Sequence, residues 1–193
     1  MLPEEEQMIR EDCWVEVTKK MPIPCVDVIV CRSQKFLMGW RIIPPYKNVW
    51  ALPGGRMFRG ESFIQTAMRQ CAKSALKIRN LCCIGLYPVR FPSRHDITAC
   101  VVAQWESGTP VPTNEFSRYT WFGACEIREI RPIGANYRKM LQDWQGTSVR
   151  WSTKGIRERT NHTRTLDGTL LNGIHRWKAM SAARQSIDRL APP

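Results

Sequence analysis

One helical stretch constrains this chain more than any other feature. From Ser62 to about Lys77 the apolar positions Phe63, Ile64, Ala67, Met68, Cys71, Ala72 and Ala75 recur at the spacing of a single helix face. Extended segments lie on both sides of it, so the helix must close over a sheet built from strands that precede and follow it. Before it, Cys25 to Cys31 is β-branched and mostly apolar, a turn at Arg32 to Lys35 returns the chain into Phe36 to Ile43, and the two read as a hairpin. Pro44, Pro45 and Asn48 mark a loop, Val49 to Leu52 is short and apolar, and Pro53-Gly54-Gly55 reads as a turn. After the helix, strands are expected at Leu81 to Val89, Ile97 to Trp105 and Tyr119 to Phe122. Helices are expected from Pro3 to about Lys19, stopped by Pro22 and Pro24, and from Asn136 to Trp144. This order predicts an α/β (α+β) architecture, a mixed sheet packed between helices and not a doubly wound parallel sheet.

The chain of 193 residues has room for one domain of ordinary size with an extension. Residues 1 to 145 read as that domain. From about 146 the texture turns to Gly, Ser, Thr, Arg and Asn, with nine Lys or Arg against three Asp or Glu, which makes 146 to 193 a basic extension and no second core. Ile174 to Leu190 has the apolar stripe of one amphipathic helix. The longest apolar runs, such as Val28 to Cys31 and Ala99 to Ala103, fall far short of the roughly 20 residues that cross a bilayer. Glu4, Glu5 and Glu6 stand where a secretory signal would be basic, so a cytoplasmic protein is expected. Cys25, Cys31, Cys71 and Cys100 sit in apolar segments and read as buried thiols, and no pair has the spacing of a zinc finger. A formal charge of +12 favours a polyanionic partner without choosing among phosphorylated small molecules, nucleic acid and acidic membrane surfaces.

The segment Trp50-Ala51-Leu52-Pro53-Gly54-Gly55-Arg56-Met57-Phe58-Arg59-Gly60-Glu61, followed by the helix bearing Arg69, resembles a Nudix box. Gly55, Glu61, Arg69 and the apolar Cys71 fall in register with that family's pattern. Taken alone, Gly54-Gly55 also reads as an ordinary turn before an amphipathic helix. The resemblance implies a Nudix-like α/β/α sandwich in which a glycine carbonyl and helix carboxylates hold a divalent metal, Mg2+ or Mn2+, against a diphosphate, because hard cations take oxygen ligands. Three positions depart from it. Gln70 stands where a Glu should follow the arginine, and Lys73 and Ser74 replace a Glu-Glu pair. Spaced three and four apart, they put an amide, an ammonium and a hydroxyl on a face that is otherwise anionic, so metal affinity is expected to be reduced.

Further segments are similar to one Nudix branch, the GDP-mannose mannosyl hydrolases, which cleave at the sugar carbon. They are the N-terminal helix leading to Pro24 to Val30, then Phe36 to Arg41, Val49 to Arg56, and Tyr119 to Phe122 with Gly134-Ala135-Asn136, and together they cover about residues 8 to 145. The resemblance implies that Arg41 and Arg56 contact the diphosphate and stabilise the leaving nucleotide, as arginine forks suit that charge. It also implies that Asp27 belongs to the sugar-nucleotide site, and that homodimers are common. On residue type alone, Asp27 also reads as a strand-edge charge and Arg41 as a solvated strand residue. The branch's loop histidine matches Phe116, and its metal-binding helix glutamate matches Ser74. Glu115 is a carboxylate able to bind metal or activate water, and Gly55, Glu61 and Glu115 form the expected metal set. His95 is either the replacement base or a solvated loop residue. Lys73 is either solvated or a stand-in for the metal's charge, which would add it to Asp27, Arg41, Arg56 and Arg69 as a substrate-binding residue. Arg150, Lys154, Arg157, Arg159 and Arg164 with Trp151 suit nucleic acid by charge and stacking, or packing on a domain or partner. The leading expectation is a hydrolase of a nucleoside-diphosphate sugar such as GDP-mannose. The alternative is an inactive Nudix fold that binds a nucleotide, a nucleic acid or a protein partner.

Overall fold

A computed structural model describes residues 9–147, 150–152 and 155–157, which fall into two units divided between Thr147 and Ser148. In the first unit the elements run α1 (Glu11–Lys20), β1 (Ile23–Arg32), β2 (Lys35–Arg41), β3 (Val49–Ala51), β4 (Gly54–Arg56), α2 (Phe63–Lys73), β5 (Lys77–Arg90), β6 (His95–Ser107), β7 (Phe116–Gly123), a short 3-10 helix (Ala124–Arg128) and α3 (Ala135–Gly146). The seven strands make one mixed sheet in which β3, β2, β1, β6 and β5 lie in that order, β4 also pairs with β1, and β7 also pairs with β2. The mixed α+β architecture expected from the order of segments is the one found.

Strands β1 and β6 pair parallel, in register from Ile23↔Asp96 to Cys31↔Gln104, while the other strand pairs among the described residues are antiparallel. A central strand covered on both faces reads as a continuous apolar run. Val26, Val28, Ile29 and Val30 are accordingly all fully buried. Strand alternation sends Val26, Val28 and Val30 of β1 and Ala99, Val101 and Ala103 of β6 to one face, where they pack with Ala67 and Cys71 of α2. Met140 and Leu141 of α3 are fully buried as well, and Trp144 meets Phe36 edge-on with ring centroids 5.7 Å apart. Cys25, Cys31, Cys71 and Cys100 are buried free thiols.

Helix α2 starts on a capping box. The Ser62 hydroxyl accepts from the Gln65 backbone N–H at 3.2 Å, and the Gln65 side-chain oxygen Oε1 accepts from the Ser62 N–H at 2.8 Å. Its end corrects the expected run to Lys77. Ala75 takes φ +59°, its N–H donates to Ala72 O at 2.9 Å and the Leu76 N–H donates to Cys71 O at 3.1 Å, which closes the helix in a Schellman turn with alanine in the usual glycine position. Lys77 therefore begins β5, four residues before the expected strand.

The Pro53-Gly54-Gly55 reading also needs correction. Gly54 and Gly55 belong to β4, antiparallel to β1 with Asp27↔Gly54 and Val26↔Gly55. A Cβ at Gly54 would lie 2.2 Å from Asp27 Oδ1 and 2.5 Å from Val26 O, so this close approach of two backbones requires glycine.

In the second unit Arg150–Ser152 (β8) pairs antiparallel with Gly155–Arg157 (β9), placing Arg150 opposite Arg157 and Trp151 opposite Ile156. The helix expected at Ile174 to Leu190, and Lys154, Arg159 and Arg164, lie outside the described residues. No helix among the described residues is long and apolar enough to cross a membrane.

Candidate functional site

The alternation that buries Val26 and Val28 under α2 leaves Cys25 and Asp27 of β1, and Asp96 and Thr98 of β6, on the wall of a cleft of about 300 Å³. Strand β4 and helix α2 add Gly54, Gly55, Arg56, Arg69, Gln70 and Lys73. Arg41 at the end of β2 and Glu115 just before β7 reach it from the other side. Five cationic side chains, Arg41, Arg56, Arg69, Lys73 and Arg94, thus face three carboxylates, Asp27, Asp96 and Glu115, and Tyr46, Phe58 and Phe91 give the cleft aromatic walls. Such a surplus of guanidinium and ammonium groups beside aromatic faces accommodates a diphosphate next to a flat ring.

Most of these charges are held in place. Arg41 Nη1 donates to Glu115 Oε2 at 2.7 Å and Nη2 to Pro44 O at 3.3 Å, while its buried Nε has no partner among the described residues. Arg56 lies 4.2 Å over the ring of Trp14 in α1, a cation–π contact that ties the N-terminal helix to the site. Arg94 donates through Nε and Nη2 to Asp96 Oδ2, at 3.2 and 2.9 Å. The Tyr46 hydroxyl donates to Asn136 Oδ1 at 2.7 Å, and its ring meets Phe91 edge-on at 5.3 Å. Burial pushes the Asp27 carboxyl up to about 7, against the opposing pull of Arg41, and Asp96 and Glu115 raise it further.

Two expected site residues are not on this wall. Glu61 is buried behind it, with Oε1 accepting from Arg69 Nε at 2.6 Å and Oε2 accepting from Arg69 Nη2 (2.8 Å), Thr66 Oγ1 (2.8 Å) and the Phe58 N–H (2.9 Å). Those bonds, that from Arg69 foremost, hold its carboxyl down near 2. Arg69 also donates to Arg56 O at 2.9 Å, so the pair clamps α2 to β4. His95 opens β6 on the opposite parity from Asp96, and its buried Nε2 has no partner among the described residues. The histidine expected as a base therefore stays off the cleft while its two neighbours in the chain line it.

The helix face at 70, 73 and 74 is divided between the cleft and a smaller extension beside the loop 113–116. Gln70, with its amide nitrogen toward β4, donates to Gly54 O at 3.2 Å and accepts from Arg69 Nη1 at 2.9 Å. A Cβ at Gly55 would lie 2.4 Å from this amide. Lys73 lines both cavities, and Ser74 Oγ shares a 2.5 Å hydrogen bond with Tyr119 Oη in the smaller one. Nudix-type metal binding by Gly55, Glu61 and Glu115 does not suit these residues. The oxygens of Glu61 are committed to Arg69, Thr66 and Phe58, Glu115 is committed to Arg41, and no group of three His, Cys, Asp or Glu among the described residues is arranged to hold an ion.

Asp96, Arg94 and Tyr46 were not singled out as site residues on the sequence. The signal for the first was available: in a strand where Ala99, Val101 and Ala103 face a helix, the even positions Asp96 and Thr98 face the other way. Tyr46 reaches the cleft from a long proline loop whose path no periodicity describes.

The family model described as "NUDIX domain" matches residues 21–144. The chain belongs to the Nudix family. Solved Nudix structures share its fold: a NUDIX hydrolase from Nitrosomonas europaea superposes with a TM-score of 0.59 at 19% identity, covering 65% of this chain and 90% of that one. The NUDIX domain of Shewanella oneidensis NrtR, complexed with ADP ribose, superposes with a TM-score of 0.58 at 18% identity, covering 72% and 98%. Over 61 residues this Nudix chain is 28% identical to the low-salt glycan biosynthesis protein Agl8 of Haloferax volcanii, a match to 32% of this chain and 39% of that protein. The chain thus spans about two fifths of that curated relative's length.

Proposed function

We propose that the cleft of this Nudix domain takes a nucleoside-diphosphate sugar such as GDP-mannose. The observation that carries this reading is the convergence of Arg41, Arg56, Lys73 and Arg94 on one cavity walled by Tyr46 and Phe91. Arginine forks match the paired oxygens of a diphosphate, and the rings offer a stacking face to the base. The ADP ribose bound by the Shewanella NUDIX domain belongs to the same ligand class, and the resemblance of residues 8 to 145 to mannosyl hydrolases favours a hexose as the sugar.

In the hydrolytic form of this reading, water attacks the sugar carbon. Its oxygen bonds to that carbon, the carbon–oxygen bond to the diphosphate breaks, and the electron pair leaves with the nucleotide, whose charge Arg41 and Arg56 stabilise. In this reading Glu115 takes the proton from water, and Arg41 holds it at 2.7 Å. A second reading, ligand binding without turnover, is favoured by the same ion pair, which occupies an oxygen of the carboxylate that would act on water, and by the withdrawal of His95 and Glu61 from the cleft.

Calorimetric titration with GDP-mannose, GDP and ADP ribose, with free sugar measured in the same samples, tests both forms. Binding with release of mannose supports the hydrolase, and binding without release supports the non-catalytic form. Absence of binding by all three removes the ligand class.

A further inference from the structure

We infer that this domain neutralises its diphosphate ligand without a resident divalent ion, and that Lys73 and the cleft arginines supply the countercharge. The inference rests on the nucleoside-diphosphate reading above and concerns how the same site handles charge.

A hard divalent cation needs several oxygens that are free to turn toward it. The carboxylates of the expected metal set already have other partners, and Asp96 Oδ1, a buried cleft oxygen without a partner among the described residues, belongs to a carboxylate whose other oxygen Arg94 holds at 2.9 Å. Both oxygens of Glu61 are engaged by Arg69, and Glu115 is bonded to Arg41 at 2.7 Å. The carbonyl of Gly54, in β4, accepts from the Gln70 amide at 3.2 Å. A neutral amide donor thus ties this strand to a helix position that faces the cleft. One turn along α2, Lys73 brings a positive charge to the same wall and to the adjoining extension. A divalent ion entering among five cationic side chains and three carboxylates is repelled, whereas a diphosphate is attracted. An ammonium on a four-carbon stem is a compact point charge that can approach phosphate oxygens without the geometric demands of a coordination sphere. Lys73 sits at an exposed helix position, so its substitution leaves the core of α2 intact.

The test uses the full chain and two probes. Mn2+ alone is titrated against protein while the free-ion electron paramagnetic resonance signal is followed, and GDP and GDP-mannose are titrated calorimetrically in buffer containing either Mg2+ or chelator. The wild-type chain is expected to leave the Mn2+ signal undiminished and to bind nucleotide within about twofold in the two buffers. Lys73→Met is expected to weaken nucleotide binding in chelator by about tenfold. The double variant Gln70→Glu with Lys73→Glu, which puts two carboxylates one turn apart facing the cleft, is expected to take up Mn2+ and to bind nucleotide only when Mg2+ is present. Stoichiometric uptake of Mn2+ by the wild-type chain, or loss of its nucleotide binding in chelator, would overturn the inference. Unchanged affinity in Lys73→Met would overturn the part given to Lys73. If neither nucleotide binds in either buffer while unfolding stays cooperative, the ligand class of the preceding section fails and Lys73's role fails with it, while the Mn2+ result still decides whether an ion resides in the cleft.

Discussion

Arg69 grips both carboxylate oxygens of Glu61, Nε to Oε1 at 2.6 Å and Nη2 to Oε2 at 2.8 Å, and so joins helix α2 to the loop that leads into it. The Glu61 side chain is 1% exposed and that of Arg69 18%, so the pair is withdrawn from water. Removing one partner of such a pair strands the other without compensation. Glu61→Ala is expected to cost about 3 kcal/mol of stability, read as a lower midpoint in urea unfolding. An unchanged midpoint would mean that the pair is not a structural clamp.

The two adjacent glycines make a graded prediction. At Gly54 a methyl group meets Val26 O and Asp27 Cα, backbone atoms that cannot yield without parting β4 from β1, whereas at Gly55 it meets only the flexible Gln70 side chain. Gly54→Ala should therefore be the more destabilising, and Gly55→Ala should mainly displace the Gln70 amide. Thermal unfolding of the two variants checks the order, and Gly55→Ala melting lower would reverse it.

Asp27 ties stability to pH. Its carboxyl is raised from 3.8 to about 7, so between those values the native chain binds a proton that the unfolded chain has released. The stabilising contribution is complete below about pH 4 and is lost as pH rises through about 7. Asp27→Asn should flatten this part of the stability profile and leave the variant the more stable of the two at pH 8. A wild-type melting temperature that rises steadily from pH 5 to pH 8, with the variant in parallel, would remove Asp27 as the cause.

Arg41→Met should lower affinity for GDP by about tenfold or more, because it removes the one fork that faces the cleft from β2. Equal affinity in variant and wild type would place the diphosphate elsewhere.

His95→Gln should leave nucleotide binding and any sugar release unchanged, since the side chain is off the cleft wall. A loss of either without a fall in melting temperature would give the histidine a direct part.

Much of this molecule was legible in the sequence. The helical spacing from Phe63 to Ala72, the buried run Val26 to Val30, and the glycine-to-arginine pattern from Gly55 to Arg69 are local periodicities, and they sufficed for a mixed sheet between helices and for the Nudix resemblance. Asp27, Arg41, Arg56, Arg69, Lys73 and Glu115, the charges that the Nudix resemblance and the loop before β7 point to, line one cleft.

What escaped the sequence depended on partners distant in the chain. Gly54-Gly55 reads as a turn until β1 is laid alongside it, because two glycines carry no periodicity and their pairing with Val26 and Asp27 is a long-range choice. Helix α2 stops at Lys73, although the helical pattern continues, because an alanine takes the left-handed conformation where the buried Leu76 draws the chain back toward the sheet. Glu61 stands in register as a metal ligand, yet its oxygens go to Arg69, Thr66 and the Phe58 N–H, and hydrogen bonds are allotted only once helix and loop have packed. The sequence by itself determined which segments bury an apolar face and which charges the chain carries. Only the tertiary structure decided which of those charges meet a ligand and which meet each other, because that depends on side-chain geometry between segments that periodicity cannot relate.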